Sequence, residues 1–142
     1  MLSPEIATKI EKSFENQSMM ATLDASISEI SEGRVTLTSS IPTTCRQQQG
    51  FAHAALTFGI GDSAAGYAAL SLMPRDADVL TTEMKINLLA PGTGDRLVAT
   101  GRVIKPGRRL MIVQADVWAE ENDKRLHVAL LTGTMMPVFP KG

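Results

Sequence analysis

The chain has 142 residues, 44% hydrophobic and 20% charged, with a net charge of −1 at pH 7; that is room for one domain, residues 1–142, with a real core, and too little for two comfortable ones. The near-neutral balance, the lack of a Lys/Arg tract and an aromatic content of 4% leave nothing to track phosphates or stack bases, so a nucleic-acid partner is not expected. A lone cysteine, Cys45, and two widely separated histidines exclude an internal disulfide framework and give no metal constellation.

Along the chain, "MLSPEIATKIEKSFENQ" is charged and lacks the apolar run and cleavage site of a signal peptide; a soluble cytoplasmic protein is the expectation. Ser3 and Pro4 read as an N-cap and first helical residue with Glu5 at the positive end. Ile6, Ile10 and Phe14 continue at helical spacing to about Gln17. From Ala21 the period becomes two (Leu23, Ala25, Ile27, then Val35 and Leu37), predicting a β-hairpin that turns at Gly33. Ile41 to Gly50 is a polar loop. It leads into "QQQGFAHAALTFGIGDSAAGYAAL", Gln47 to Leu70, which is almost wholly apolar and reads as helix between Ala52 and Leu70. Four strand-like runs follow, at about Leu80–Leu89, Arg96–Ile104, Leu110–Glu120 and Arg125–Met136. Their short connections, "APGTGD", "KPGR" and "EENDK", suit antiparallel neighbours. The order predicts an α+β domain with an antiparallel sheet wrapped around one long central helix.

That helix is apolar on every face and carries Gly59, Gly61 and Gly66 in its interior, each costing about 0.5–1 kcal/mol relative to Ala. Local propensity does not hold it; burial must. A membrane span is a poor alternative, because the run is barely long enough and His53 and Asp62 interrupt it. The single carboxylate therefore needs a reason. As a structural feature Asp62 is a helix–helix hydrogen bond or a surface-facing acid; as a functional one it is a cleft carboxylate. His53 lies nine positions earlier, about 13 Å along the axis and on roughly the opposite face, so the two cannot pair within one chain. Two copies packed with these helices antiparallel would bring Asp62 of one toward the free N–H groups at the helix N-terminus of the other, around His53 to Ala55.

The stretch from Gln47 resembles the signature of the PaaI-type hotdog-fold acyl-CoA thioesterases: Asn or Gln, two residues, Gly, two residues, His-Gly-Gly, then an acid nine residues after the His. "TTEMKINLLAP" and "GRVIKPGRRLMIVQADVWAE" are similar to the strand and hairpin that follow it in that family. The resemblance implies a hotdog fold, a side-by-side homodimer or a homotetramer, and hydrolysis of an aryl-, short- or medium-chain acyl-CoA, with no cofactor beyond the coenzyme A of the substrate. It gives Asp62 the role of base or nucleophile and the Ala54 backbone N–H that of oxyanion donor. Gln47 would position the carbonyl or nucleophile, His53 would organise the loop, and Thr81 would hold the attacking water. Lys105, Arg108 and Arg109, which would otherwise be a solvated hairpin tip, would meet the coenzyme A phosphates. The family's "HGG" is "HAA" here. An alanine still donates its N–H, but its Cβ narrows the approach, and a positive φ at Ala54 or Ala55 would be strained.

The alternatives are a non-catalytic acyl-CoA binding module and an acyl-CoA hydratase or dehydratase on the same fold, though the latter needs a close acid–histidine pair. Phe58, Leu88 and Leu89 suggest an apolar acyl pocket. Cys45 and His127 read as passive residues, and Ser63 lacks a nucleophile-elbow context. Tyr67 and the Met135-Met136 pair are expected to pack.

Overall fold

The structure is a computed structural model and describes residues 1–141. Helix α1, Pro4–Asn16, begins as the sequence indicates: Ser3 Oγ accepts from the Ile6 N–H at 3.3 Å, Pro4 occupies the first turn, and Ile6 and Ile10 are buried. The expected hairpin starts later than Ala21. A second short helix, α2, covers Ser18–Thr22 and buries Met20, and Leu23 packs into the core behind it. The alternation of Leu23 with Ala25 is too short to distinguish a strand from a helical turn. Asp24, in the left-handed region at φ 54°, ends the helical path.

Strands β1 (Ala25–Ser31) and β2 (Arg34–Ser39) then form the hairpin around Gly33, at φ 71°. After the long helix α3, Ala54–Leu70, come β3 (Asp78–Leu88), β4 (Arg96–Pro106), β5 (Met111–Glu121) and β6 (Lys124–Val138). All pairings are antiparallel in the order β1-β2-β4-β5-β6-β3. Only β4, β5 and β6 form the expected meander. The connection "APGTGD" is not a hairpin: it carries the chain across the sheet, so that β3 pairs with β6 and becomes an edge. A short polar loop closes a hairpin or spans a sheet end equally well, and its composition does not distinguish them.

The sheet curls around α3, as in the hotdog fold. Leu56, Ile60, Ala64, Ala68 and Leu70 of α3 are buried against Leu37, Leu97, Val113, Ala115 and Leu131. The glycines allow the close approach. A Cβ on Gly101 of β4 would lie 2.3 Å from the Ala64 carbonyl carbon, and one on Gly61 would lie 2.8 Å from Leu131. The small residues that weaken α3 as an isolated helix let it sit directly on the strands. Among the described residues, no helix is long and apolar enough to cross a membrane.

Candidate active site

The loop before α3 is built by its own polar side chains. Arg46 directs its guanidinium at the carbonyls of Ile41 (3.1 and 2.9 Å) and Gly50 (3.0 Å). Gln47 Oε1 accepts from the N–H groups of Gln49 (2.6 Å) and Phe51 (3.1 Å), and its Nε2 donates to Gln49 Oε1. His53 is the N-cap of α3: its Nδ1 accepts from the Ala55 N–H at 2.9 Å, and its own N–H donates to the Cys45 carbonyl. His53 thus fixes the entry into the helix.

The N–H of Ala54 has no acceptor among the described residues. Ala54 opens the helix without left-handed backbone, since the only non-glycine residues there among those described are Asp24 and Asn122. The alanines in place of glycines therefore cause no strain. Ala54, Gln47 and Thr57 border an open cleft of about 420 Å³ with Leu88 and Leu89 of the β3 end.

Asp62 lies elsewhere. Eight residues separate it from Ala54, about 12 Å along the axis, and it opens into a second cleft of about 630 Å³ between α1, α3 and β3. Thr81 Oγ1 donates to Asp62 Oδ1 at 2.7 Å, with Met135 Sδ 3.3 Å from the same hydroxyl. Burial pushes the Asp62 carboxyl above its ordinary value of 3.8, and the Thr81 hydrogen bond pulls it part of the way back. The structure brings Asp62 together with Thr81, and Gln47 with Ala54, but keeps the two pairs apart. One chain holds two half-sites.

Sequence reasoning did not find the opposite wall of the Asp62 cleft. Gln17, at the junction of α1 and α2, donates from Nε2 to Tyr67 Oη at 3.0 Å and accepts at Oε1 from Ser63 Oγ at 3.3 Å; Ser13 Oγ lies 3.2 Å from the same phenol. Tyr67 is 5% exposed, so its hydroxyl needs these partners. The available signal was a polar-tipped ring inside an otherwise apolar helix. At the cleft mouth Lys9 donates to the carbonyls of Arg75, at 2.6 Å, and of Ala77.

Lys105, Arg108 and Arg109 line neither half-site. Arg108 and Arg109 border an apolar cleft of about 650 Å³ with Leu110, Met136 and Phe139. His127 is on the outer sheet face, stacked on Trp118 and 3.0 Å from Asp116 Oδ1. No group of three His, Cys, Asp or Glu among the described residues is arranged to hold a metal.

Residues 49–125 match the family profile of the thioesterase superfamily. A search of curated proteins finds no match. Among solved structures, the chain is similar to a thioesterase family protein from Silicibacter pomeroyi, with 40% identity over 95% of this chain and 99% of that one and a TM-score of 0.93. The PaaI protein of the E. coli phenylacetic acid degradation operon shares the fold at 23% identity, TM-score 0.85, over 97% and 96% of the two chains. A Haemophilus influenzae thioesterase does so at 18% identity, TM-score 0.81, over 93% and 90%.

Proposed function

The chain belongs to the thioesterase superfamily, and from that premise we propose that it hydrolyses an acyl-CoA thioester in a site assembled from two copies of itself. The observation that carries this reading is the separation of complementary half-sites. An unengaged N–H at the start of α3 opens into one cleft, and a carboxylate aligned by Thr81 opens into another about 12 Å away.

A second copy joins them. Strand β3 is an open edge, with Leu80 and Leu88 each 56% exposed, and pairing two such edges side by side sets the two α3 helices antiparallel. Asp62 then faces the other chain's helix N-terminus. The thioester oxygen accepts from the partner's Ala54 N–H, with the Gln47 amide fixing the carbonyl, and the positive helix end stabilises the charge that develops on that oxygen. Asp62 takes a proton from water as the water adds to the carbonyl carbon, or attacks that carbon itself to give an anhydride that water then opens. Either way the C–S bond breaks and coenzyme A leaves as a thiolate, protonated by Asp62 in the first route and by solvent water in the second. Thr81 orients the carboxylate and the water. Lys105, Arg108 and Arg109 are assigned to the phosphates; a further pairing of dimers and a cytoplasmic location complete the proposal.

A hydratase or dehydratase is disfavoured, because His53 commits Nδ1 to capping the helix. The test is coenzyme A release from phenylacetyl-, benzoyl-, hexanoyl- and longer acyl-CoAs. Asp62→Ala and Gln47→Ala are assayed separately and then as mixed, re-associated chains. Recovery of activity on mixing, from a dimer carrying one intact composite site, is the expected result. Tight binding without turnover would instead identify an acyl-CoA binding module.

A further inference from the structure

The face of α3 that carries Asp62 continues toward the helix N-terminus through Gly59, Phe58 and Ala55, at the i, i+3/i+4, i+7 spacing of one stripe. Beside it lies a third pocket of about 380 Å³, closed on the other side by Met19 and Leu23 of the α2 region and by Cys45. Gly59 is one turn from Asp62, about 4.5 Å along the axis.

Two polar groups of this pocket are already engaged. The Arg46 guanidinium is held by the Ile41 and Gly50 carbonyls, and His53 Nδ1 caps the helix. Apart from the Thr44 hydroxyl and His53 Nε2, its remaining surface is mainly side-chain carbon and sulfur. The cleft on the other side of Asp62 presents Lys9, Ser13, Asn16, Gln17, Ser63 and Tyr67. The carboxylate thus opens into the polar cleft, one helical turn from Gly59 of the apolar pocket.

We propose that the apolar compartment receives the acyl chain, that Gly59 sets the length it accepts, and that the polar cleft receives the amide-bearing pantetheine arm. The proposal rests on the hydrolysis reading above for the identity of its ligand. It fixes the direction in which the thioester lies across Asp62, and it names hydrocarbon as the occupant because Met19, Leu23, Ala55, Leu56 and Phe58 make the lining mainly apolar. Gly59 is decisive because a Cβ there would press on Leu23 Cδ1 at 3.0 Å, narrowing the pocket at its deepest turn without touching Asp62.

The experiment uses non-hydrolysable acyl-CoA thioethers of increasing chain length and reads binding by calorimetry and the alkylation rate of Cys45, the sole cysteine. Affinity is expected to rise with chain length and level off. Gly59→Ala should weaken the longest thioether ~10-fold while leaving the shortest within about threefold, the scale on which a hydrophobic pocket senses methylenes. Met19→Trp, on an exposed helix position, should narrow the same pocket and shift the profile in the same direction if Gly59→Ala misfolds. Long-chain thioethers should slow Cys45 alkylation, and coenzyme A alone should not.

An alkylation rate indifferent to the thioethers would overturn the proposal, as would a length profile unmoved by either variant. Cys45 that is shielded without ligand and becomes reactive only on dilution would show a second copy in the pocket, with the same consequence. Thioether binding that protects Cys45 without turnover of the natural esters would remove the hydrolysis reading and leave this one standing.

Discussion

Thr81 on β3 and Asp62 on α3, 19 residues apart in sequence, meet in a 2.7 Å hydrogen bond. The donor comes from an edge strand and the acceptor from the buried helix, so the contact joins the least covered element of the fold to its most covered one. The β3 ladder shifts register between Thr81 and Glu83, and bulges of this kind re-aim side chains.

The hydroxyl lowers the Asp62 pKa against the rise that burial imposes. Thr81→Val removes the lowering contribution and leaves the rise. The acid limb of the pH–rate profile, where Asp62 loses its proton, is expected to move to higher pH, with a lower rate at pH 7. A limb that stays in place would show that Thr81 does not act through the carboxylate.

Asp62→Asn separates activity from stability. The folded pKa lies above the ordinary value of 3.8, so between 3.8 and the folded pKa the native state binds more protons than the unfolded state, and stability falls as pH rises. At neutral pH the folded protein bears the full cost of the ionised, desolvated group. The amide bears no such cost and still accepts from Thr81. Thermal unfolding should give Asp62→Asn a higher Tm than the natural chain at pH 7 and no advantage below about pH 3.8. Hydrolysis should drop ~10²–10⁴-fold, the range for loss of a general base.

His53 tests the difference between organising and reacting. Loss of the cap in His53→Ala should cost ~1 kcal/mol of stability, read by urea titration. His53→Asn offers a side-chain oxygen to the same N–H and should recover most of that loss and most of the activity. An Asn variant that is stable and inactive would assign His53 a chemical role.

Gly101→Ala probes the helix–sheet contact. Its Cβ would lie 2.3 Å from the Ala64 carbonyl carbon and 2.4 Å from its oxygen, and backbone on both sides leaves no flexible side chain to yield. A loss at or beyond the ~3 kcal/mol upper end of ordinary overpacking is expected, visible as a fall in Tm or in soluble yield.

Much of this architecture was legible in the residues. The apolar helix, its acid and the β4-β5-β6 meander are carried by local signals of composition, period and turn chemistry. The N-terminus of α1 follows from Ser3-Pro4-Glu5 alone. The transfer of β3 to the far edge was not legible, because pairing partners are selected by long-range packing and "APGTGD" serves either connection. Helix α2 was missed for a related reason: Met20 and Leu23 bury under a helical turn what two-residue alternation would also bury. The Gln17–Tyr67–Ser63 wall depends on contacts between residues 46 and 50 positions apart, and no spacing rule connects them.

Strand β3 also bears on the fate of a newly made chain. An edge flanked by exposed leucines at positions 80, 88 and 89 is a template onto which any extended segment in a crowded cell can add. The charges of Glu83 and Lys85 and the register shift beside them interrupt its flat middle and so discourage casual strand addition. Under the proposed pairing of two copies, freshly made chains at low abundance compete between that pairing and misassociation, and variants that blunt the edge with lysine or proline should express more cleanly while losing hydrolysis.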